Sequence, residues 1–177
     1  MTTGAEATEE VEPGRDLEGF YRDEFGRAGR LALLLVGDQH VAEEITMEAF
    51  MRVAARWSKV SSLEDPGAYL RRVVVNVATS RWRRLQVERR ALGRLGGPEQ
   101  VVWNVSGRGE SAHVLDAVRL LPQRQRACVV LRYFEDLPEA EIAATLRCSL
   151  GTVKSQLSKA RARLAQLLAA EGNDGDD

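Results

Sequence analysis

The predicted helix near the end of the chain carries cations and hydroxyl groups on one face and apolar side chains on the other. Within residues 141–164, EIAATLRCSLGTVKSQLSKARARL, an apolar stripe predicts one buried face: Val153, Leu157, Ala160 and Leu164. Cations can neutralise phosphates, and hydroxyl groups can hydrogen-bond to phosphates or to base edges. The pattern therefore predicts contact with nucleic acid through the opposite face, which holds Thr152, Lys154, Ser155, Ser158 and Lys159.

A second short helix precedes this one at the spacing of a helix-turn-helix. Pro138 is placed to begin it, and Ile142 and Leu146 are expected to point inward. Ser149, after a short turn, is a good N-cap for the last helix. Such a pair can present its second helix to the major groove of DNA. An ordinary cationic helical hairpin is the alternative interpretation.

Arginine, tryptophan and asparagine are combined in a third helix, residues 65–84, DPGAYLRRVVVNVATSRWRR. Basic side chains beside aromatic ones suit single-stranded nucleic acid, because the bases stack while the backbone is neutralised. Asn76 stands among valines. It is either a polar group of such a site or a hydrogen-bonded amide of the core.

The near-neutral net charge of −1, from 25 basic and 26 acidic residues, hides a segregation of charge. Both ends of the chain are acidic, and two basic tracts lie between them. Two separated basic tracts indicate a polyanion contacted at two places. The alternative is that both tracts are solvated helix faces.

Apolar residues recur at helical spacing and strand signals are nearly absent, so we expect an all-α fold. Asp38 should cap the second helix, and Pro66 should lie in the first turn of the third. The predicted helices are 16–35, 38–57, 66–92, 114–121 and 122–134, followed by the helix-turn-helix. Residues 58–67 are predicted to form a loop.

Glycine-rich composition between the two basic tracts predicts two small helical domains joined by a flexible linker. We expect the free domains to vary in separation; a short ordered loop packed on one domain is the alternative. The segments are an acidic disordered leader (1–15), a first domain (16–92), the linker (93–113), a helix-turn-helix domain (114–168) and an acidic tail (169–177).

The residue inventory argues against an enzyme. The sequence has no glycine-rich phosphate loop and no cluster of His, Cys and carboxylates, so no cofactor, metal or small-molecule substrate is expected. Cys128 and Cys148 lack CxxC spacing and are interpreted as reduced core residues. No stretch has the length of a membrane span, and the start is unlike a signal peptide, which indicates a cytoplasmic protein.

These segments, taken in order, resemble a known family. YRDEFGRAGRLALLLVGDQHVAEEITMEAFMRVAARW and DPGAYLRRVVVNVATSRWRR are similar to region 2 of a group 4, extracytoplasmic-function sigma factor of bacterial RNA polymerase. LPQRQRACVVLRYFEDLPEAEIAATLRCSLGTVKSQLSKARARL is similar to region 4. The resemblance covers about residues 17–168 and is strongest to the sigma-E-type subfamily of actinobacteria within the sigma-70 family.

The resemblance implies partners. The second helix would dock on the clamp of the largest polymerase subunit through Glu44, Glu48, Ala49, Phe50 and Arg52, although many relatives have Gln at the position of Met47. The polymerase flap and promoter DNA are further implied partners. Sigma factors of this family usually have an anti-sigma inhibitor, which makes such a protein a candidate partner.

The resemblance also implies how DNA is recognised. The −10 element would be melted by the first domain, with Asn76 in the pocket for a flipped base. The last helix would read the −35 duplex, and the linker would thread through the polymerase. The implied −10 residues are Arg71, Arg72, Asn76, Arg81, Trp82 and Arg84, and the implied −35 residues are Thr152, Lys154, Ser155, Ser158 and Lys159.

Two other functions compete with this interpretation. A stand-alone helix-turn-helix repressor would explain the last domain but would leave the Arg/Trp helix and the linker without a role. A sigma-like protein that binds polymerase without starting transcription is the third possibility.

Overall fold

The computed structural model describes residues 16–91 and 110–172, and all regular structure in these ranges is helical. The first range holds four helices: α1 (Leu17–Val36), α2 (Gln39–Ala54), α3 (Trp57–Val60) and α4 (Pro66–Ala91). The second holds α5 (Glu110–Arg119), α6 (Gln123–Tyr133), α7 (Glu139–Leu146) and α8 (Leu150–Gly172). The all-α prediction is confirmed. No helix within the described ranges has the length and apolarity needed to cross a membrane.

The break between α1 and α2 lies where the sequence predicts it. α1 is capped by Asp16 and ends at Gly37, whose φ of 86° is a conformation that glycine adopts readily. The Asp38 carboxylate then accepts a hydrogen bond from the Val41 amide at 2.8 Å and caps α2. Pro66 is the first residue of α4, also as predicted.

The second helix is shorter than predicted, and a short helix extends into the segment 58–67 that was predicted to be a loop. α2 ends at Ala54, and the short helix α3 follows. Trp57 packs against Phe20 with ring centroids 5.0 Å apart, and Val60 is 1% exposed. The aromatic contact of the half-buried Trp57 and the burial of Val60 hold this segment against the core, which its polar composition does not indicate.

The N-terminal core lies where α1, α2 and α4 pack together. Ile45, Val53 and Val74 are fully buried there, and Leu70 is 1% exposed. Burial of each such side chain contributes roughly 1.5–3 kcal/mol. These three helices therefore form a rigid support for the polar side chains on their outer faces.

The C-terminal core is formed by α5 to α8. Val130, Ile142, Val153 and Ala160 are fully buried in it. The C-terminal end of the predicted linker, residues 93–113, differs from the structure, because α5 already begins at Glu110. Residues 92–109, which include most of that predicted linker, lie outside the described residues, as do 1–15 and 173–177.

The two helical groups are packed together, which differs from the variable separation expected from the sequence. α1 contacts α6 and α4 contacts α7. The buried apolar residues of both groups form one continuous cluster, from Ala28 in α1 to Ala160 in α8. This closed arrangement places side chains of α7 beside the Arg/Trp helix, α4.

Candidate nucleic-acid interface

The helix-turn-helix is formed by α7, a turn at Arg147–Ser149 and α8. The Ser149 hydroxyl accepts a hydrogen bond from the Thr152 amide at 3.1 Å, which confirms the predicted N-cap. Val153, Leu157 and Ala160 are at most 2% exposed and hold α8 on the C-terminal core. Leu146 and Leu164, predicted to be core residues, are half-buried.

The outer face of α8 is cationic and polar. Lys154, Ser155, Ser158 and Lys159 are exposed, and residues 150–169 contain no Asp or Glu. Thr152 is half-buried, and its hydroxyl lies 2.8 Å from that of Ser149, so it is partly occupied by the cap. The remaining side chains form a convex surface that is suited to the major groove of a duplex.

A groove with a volume of about 690 Å³ runs between α2, α4 and the end of α7. Asn76 lines it and is half-buried, so its amide is within reach of a ligand in the groove. Arg72 and Ser80 line the same groove and are exposed. The structure thus brings together at one concave surface some of the residues predicted to bind melted DNA.

Two arginines of the predicted −10 set already have acidic partners. Arg71 Nε donates to Glu135 Oε2 at 2.9 Å, and Arg81 Nη1 lies 2.5 Å from Glu44 Oε2. Arg84 is exposed and Trp82 is half-buried. Arg71 is therefore engaged by the C-terminal group, while Arg81 ties α4 to α2.

The predicted polymerase-binding face of α2 needs one correction. Glu44, Glu48 and Arg52 are exposed, with Glu48 Oε1 2.5 Å from Arg52 Nη2. Ala49 is fully buried and Phe50 is 5% exposed, because both face the core under α1. These two residues therefore position the helix and present no surface to a partner.

The sequence interpretation missed several residues that belong to these surfaces. On α2, Met51 is 68% exposed, which could have been inferred from its position beside Arg52 on a helical projection. Met47, which the sequence already placed at the clamp face, is 49% exposed. The groove is also lined by Arg56, Arg83 and Arg147, none of which the sequence predicted as a site residue. No local sequence pattern around Glu135 indicates that it pairs with Arg27 and Arg71.

The described residues offer little for metal or thiol chemistry. No group of three or more metal-ligating side chains occurs within residues 16–91 and 110–172. Cys128 and Cys148 are both free. Burial raises the pKa of the Cys128 thiol to about 11, and the charge of Cys148 contributes to the shift. The neutral thiol is therefore the form of Cys128 near neutral pH.

Comparison with known families matches both halves of the chain. The family described as Sigma-70 region 2 matches residues 20–88, and the family described as Sigma-70, region 4 matches residues 112–164. The RNA polymerase sigma-E factor of Streptomyces coelicolor is 36% identical over 146 residues, which cover 82% of this chain and 81% of that protein.

Two solved structures share the fold. The sigma factor RpoE of Bartonella quintana, in complex with the anti-sigma factor NepR, matches with a TM-score of 0.71 and 21% identity, over 87% of this chain and 97% of that one. CnrH, in complex with the cytosolic domain of CnrY, matches with a TM-score of 0.56 and 19% identity, over 87% and 88% of the two chains. At these identities the likeness concerns the fold alone.

Proposed function

The chain belongs to the sigma-70 family, and from this premise we infer that it is a sigma factor that directs RNA polymerase to promoter DNA. The observation that carries this function is the presence of both family regions in one chain, in order. Region 4 contains the acid-free outer face of α8, and region 2 contains the arginine-lined groove beside Asn76.

We propose that α8 reads the −35 duplex. Lys154, Ser155, Ser158 and Lys159 are exposed on one helix that the core holds rigidly, as groove readout requires. Thr152 belongs to the same set, with its hydroxyl shared with Ser149. Arg161 and Arg163 lie farther along the exposed face and suit phosphates.

The −10 element is proposed to bind along α4. Asn76 faces the groove, where its amide can both donate to and accept from the edge of a flipped base. Flipping costs a few kcal/mol of unstacking, which contacts from Arg72, Arg84 and Trp82 would offset. Arg71 and Arg81 belong to the proposed DNA-binding set as well. Their ion pairs with Glu135 and Glu44 must break before they can bind DNA.

The exposed face of α2 is proposed to dock on the polymerase clamp. Glu44, Glu48 and Arg52 supply charges, and Met47 and Met51 supply adaptable apolar contacts. Ala49 and Phe50 fix the helix from beneath. The C-terminal helices are proposed to engage the flap, with the segment between the two groups threaded through the polymerase.

We propose that the protein acts in the cytoplasm, has no catalytic activity and needs no cofactor of its own. An anti-sigma factor is a proposed partner, because the two solved structures described above are complexes, one of them with a protein named as an anti-sigma factor.

Run-off transcription with purified core polymerase on a genomic fragment library tests the proposed function. The expected result is discrete transcripts whose start sites share two upstream elements. Core polymerase without this chain is the control. A chain that binds core but yields no transcript would instead be the sigma-like protein that does not initiate transcription.

Fluorescence anisotropy on one promoter found in that library separates a sigma factor from a repressor. We expect core polymerase to raise promoter affinity at least about tenfold, or roughly 1.4 kcal/mol. The reason is that docking on polymerase fixes the spacing of the two DNA-binding surfaces. If the free chain binds as tightly and as specifically as the mixture, it is a stand-alone repressor.

A further inference from the structure

Arginines from both helical groups converge on the groove between α2, α4 and α7. The groove has a volume of about 690 Å³, which is within the range of small-molecule sites. Residues from the N-terminal group form most of its lining, and Leu146 and Arg147 close it from the C-terminal group. The lining includes no Asp or Glu, and its five arginines are Arg52, Arg56, Arg72, Arg83 and Arg147.

Four of these five guanidinium groups have no counter-charge among the side chains that the structure describes. Arg52 is paired with Glu48. Arg56, Arg72, Arg83 and Arg147 are exposed and form no ion pair with any acidic side chain that the structure describes. Like charges gathered in a concave surface repel one another and focus a positive potential. A bound polyanion would relieve that repulsion.

Arg147 occupies a backbone conformation that does not favour arginine. Its φ of 53° is left-handed, and its amide closes the end of α7 on the carbonyls of Ala143 and Ala144. Glycine is the usual residue at such a helix end. An arginine here places a guanidinium on the groove wall despite this backbone preference, and such outliers often mark functional positions.

We propose that this groove binds a polyphosphate chain, either free or attached to a nucleoside. Guanidinium groups pair with phosphate oxygens in a two-pronged geometry, and several phosphates are needed to reach both walls of the groove. Arg147 contributes from the C-terminal group, and Arg56, Arg72 and Arg83 contribute from the N-terminal group. Tyr69, half-buried on the same lining, offers a ring on which a nucleoside base can stack.

Such a ligand would bridge the two helical groups and hold them in the closed arrangement. It would also compete with melted promoter DNA, because Arg72 and Asn76 belong both to the groove and to the proposed −10 surface. The competition rests on the proposed function. The proposed binding of polyphosphate does not depend on that function. It rests only on the closed arrangement of the two helical groups and on the charges of the groove arginines.

Isothermal titration calorimetry of the full chain with sodium tripolyphosphate tests the site directly. We expect saturable one-to-one binding that becomes about tenfold weaker in Arg147→Ala, the loss of one charge-assisted contact. Arg124→Ala is the matched control, since Arg124 is exposed on α6, is not part of the groove and has no part in the proposed DNA surfaces. Its affinity should equal that of the wild-type chain.

Arg147→Gly separates binding from folding. Glycine accepts the left-handed conformation, so this variant should unfold at the same temperature as the wild-type chain or higher while still losing about tenfold in affinity. Glu135→Gln provides an independent variant, because Glu135 does not line the groove but holds α6 against α1 and α4. Loosening that contact should also weaken tripolyphosphate binding.

The titration distinguishes a site from a diffuse charge effect. Wild-type affinity in both Arg147 variants would overturn the proposal. An equal loss of affinity in Arg124→Ala, or sulfate binding as tight as tripolyphosphate binding, would also overturn it. Metal-free ATP is the second probe: tighter binding than tripolyphosphate identifies a nucleoside-linked ligand, and equal binding identifies the phosphate chain alone. The titration contains no polymerase, so its failure leaves the proposed function untouched.

Discussion

Glu135 Oε2 accepts a hydrogen bond from Arg71 Nε at 2.9 Å, and this contact joins the two helical groups of the molecule. Arg27 Nη2 lies 3.3 Å from the same oxygen. The side chains of Glu135 and Arg71 are only 8% and 15% exposed, so water screens this pair weakly. An arginine of the proposed −10 surface is thus held by a carboxylate from the other half of the chain.

Glu135→Gln should loosen the closed arrangement. The neutral amide loses the charge that two guanidinium groups share. This loss should cost roughly 2 kcal/mol of the free energy that holds the halves together, which is more than tenfold in the equilibrium constant for closing. Small-angle X-ray scattering of the free chain should show a larger radius of gyration. Asp136→Asn is the matched control, because the Asp136 side chain is 99% exposed and Asn tolerates its φ of 55°. Identical scattering from wild type and Glu135→Gln would show that this ion pair does not hold the halves together.

Asn76→Ala should weaken promoter opening without affecting recognition of the −35 duplex. The amide faces the groove on α4, away from the outer face of α8. Permanganate footprinting of the −10 region in the mutant holoenzyme measures the opening, and protection of the −35 region serves as the internal control. Unaltered melting would remove Asn76 from the proposed pocket.

Ser149→Ala should destabilise the helix-turn-helix. The hydroxyl satisfies the Thr152 amide at the start of α8, and loss of such an N-cap costs about 1 kcal/mol. Thermal unfolding followed by circular dichroism should shift down by about 3 °C. Ser155→Ala, at an exposed position within the same helix, should leave the unfolding temperature unchanged. A shift of equal size in both variants would contradict a capping role.

Arg161→Ala and Arg163→Ala should each lower DNA affinity to the same extent for every sequence. Both side chains are exposed on the second half of α8, where phosphates are the expected partners. Each lost phosphate contact should reduce the slope of log K against log salt by about 0.9. Lys154→Ala, nearer the start of α8, should instead change sequence preference. A shift in preference from either arginine variant would move that arginine into the base-reading set.

Cys128 should resist alkylation in the folded protein at about pH 8, because its pKa is raised to about 11 and thiolate is the reactive form. Iodoacetamide should modify the half-buried Cys148 first, as mass spectrometry of peptides can show.

The same shift makes stability depend on pH. In the unfolded chain the Cys128 thiol ionises near its ordinary pKa of 9.0, whereas in the folded chain it ionises only near 11. The unfolded state therefore binds fewer protons in that interval, and this contribution to the free energy of unfolding is lost as pH rises from about 9 to about 11. Urea unfolding across this window should decline more steeply for the wild-type chain than for Cys128→Ala. Parallel curves would show that Cys128 is not the group responsible.

Local signals in the sequence determine where most helices begin and end. Asp38 and Ser149 each cap a helix through an amide three residues later, and Gly37 ends α1 within one turn of its last buried residue. These interactions act over a few residues, so they can be read from a short window. The outward cations of α8 were predictable for the same reason, since the positions of Val153 and Leu157 define the opposite face.

The tertiary structure alone decided which of these surfaces meet. Arg71 and Glu135 are 64 residues apart, and no local pattern in either segment specifies their pairing. The same limit hid the burial of Ala49, because a helical period shows that a face is apolar but not which partner covers its edge. The groove that unites Arg147 with Arg72 likewise exists only because α7 packs against α4. Local caps and periodicity act within one helix, whereas contacts between helices depend on how the complete set of buried faces packs into one core.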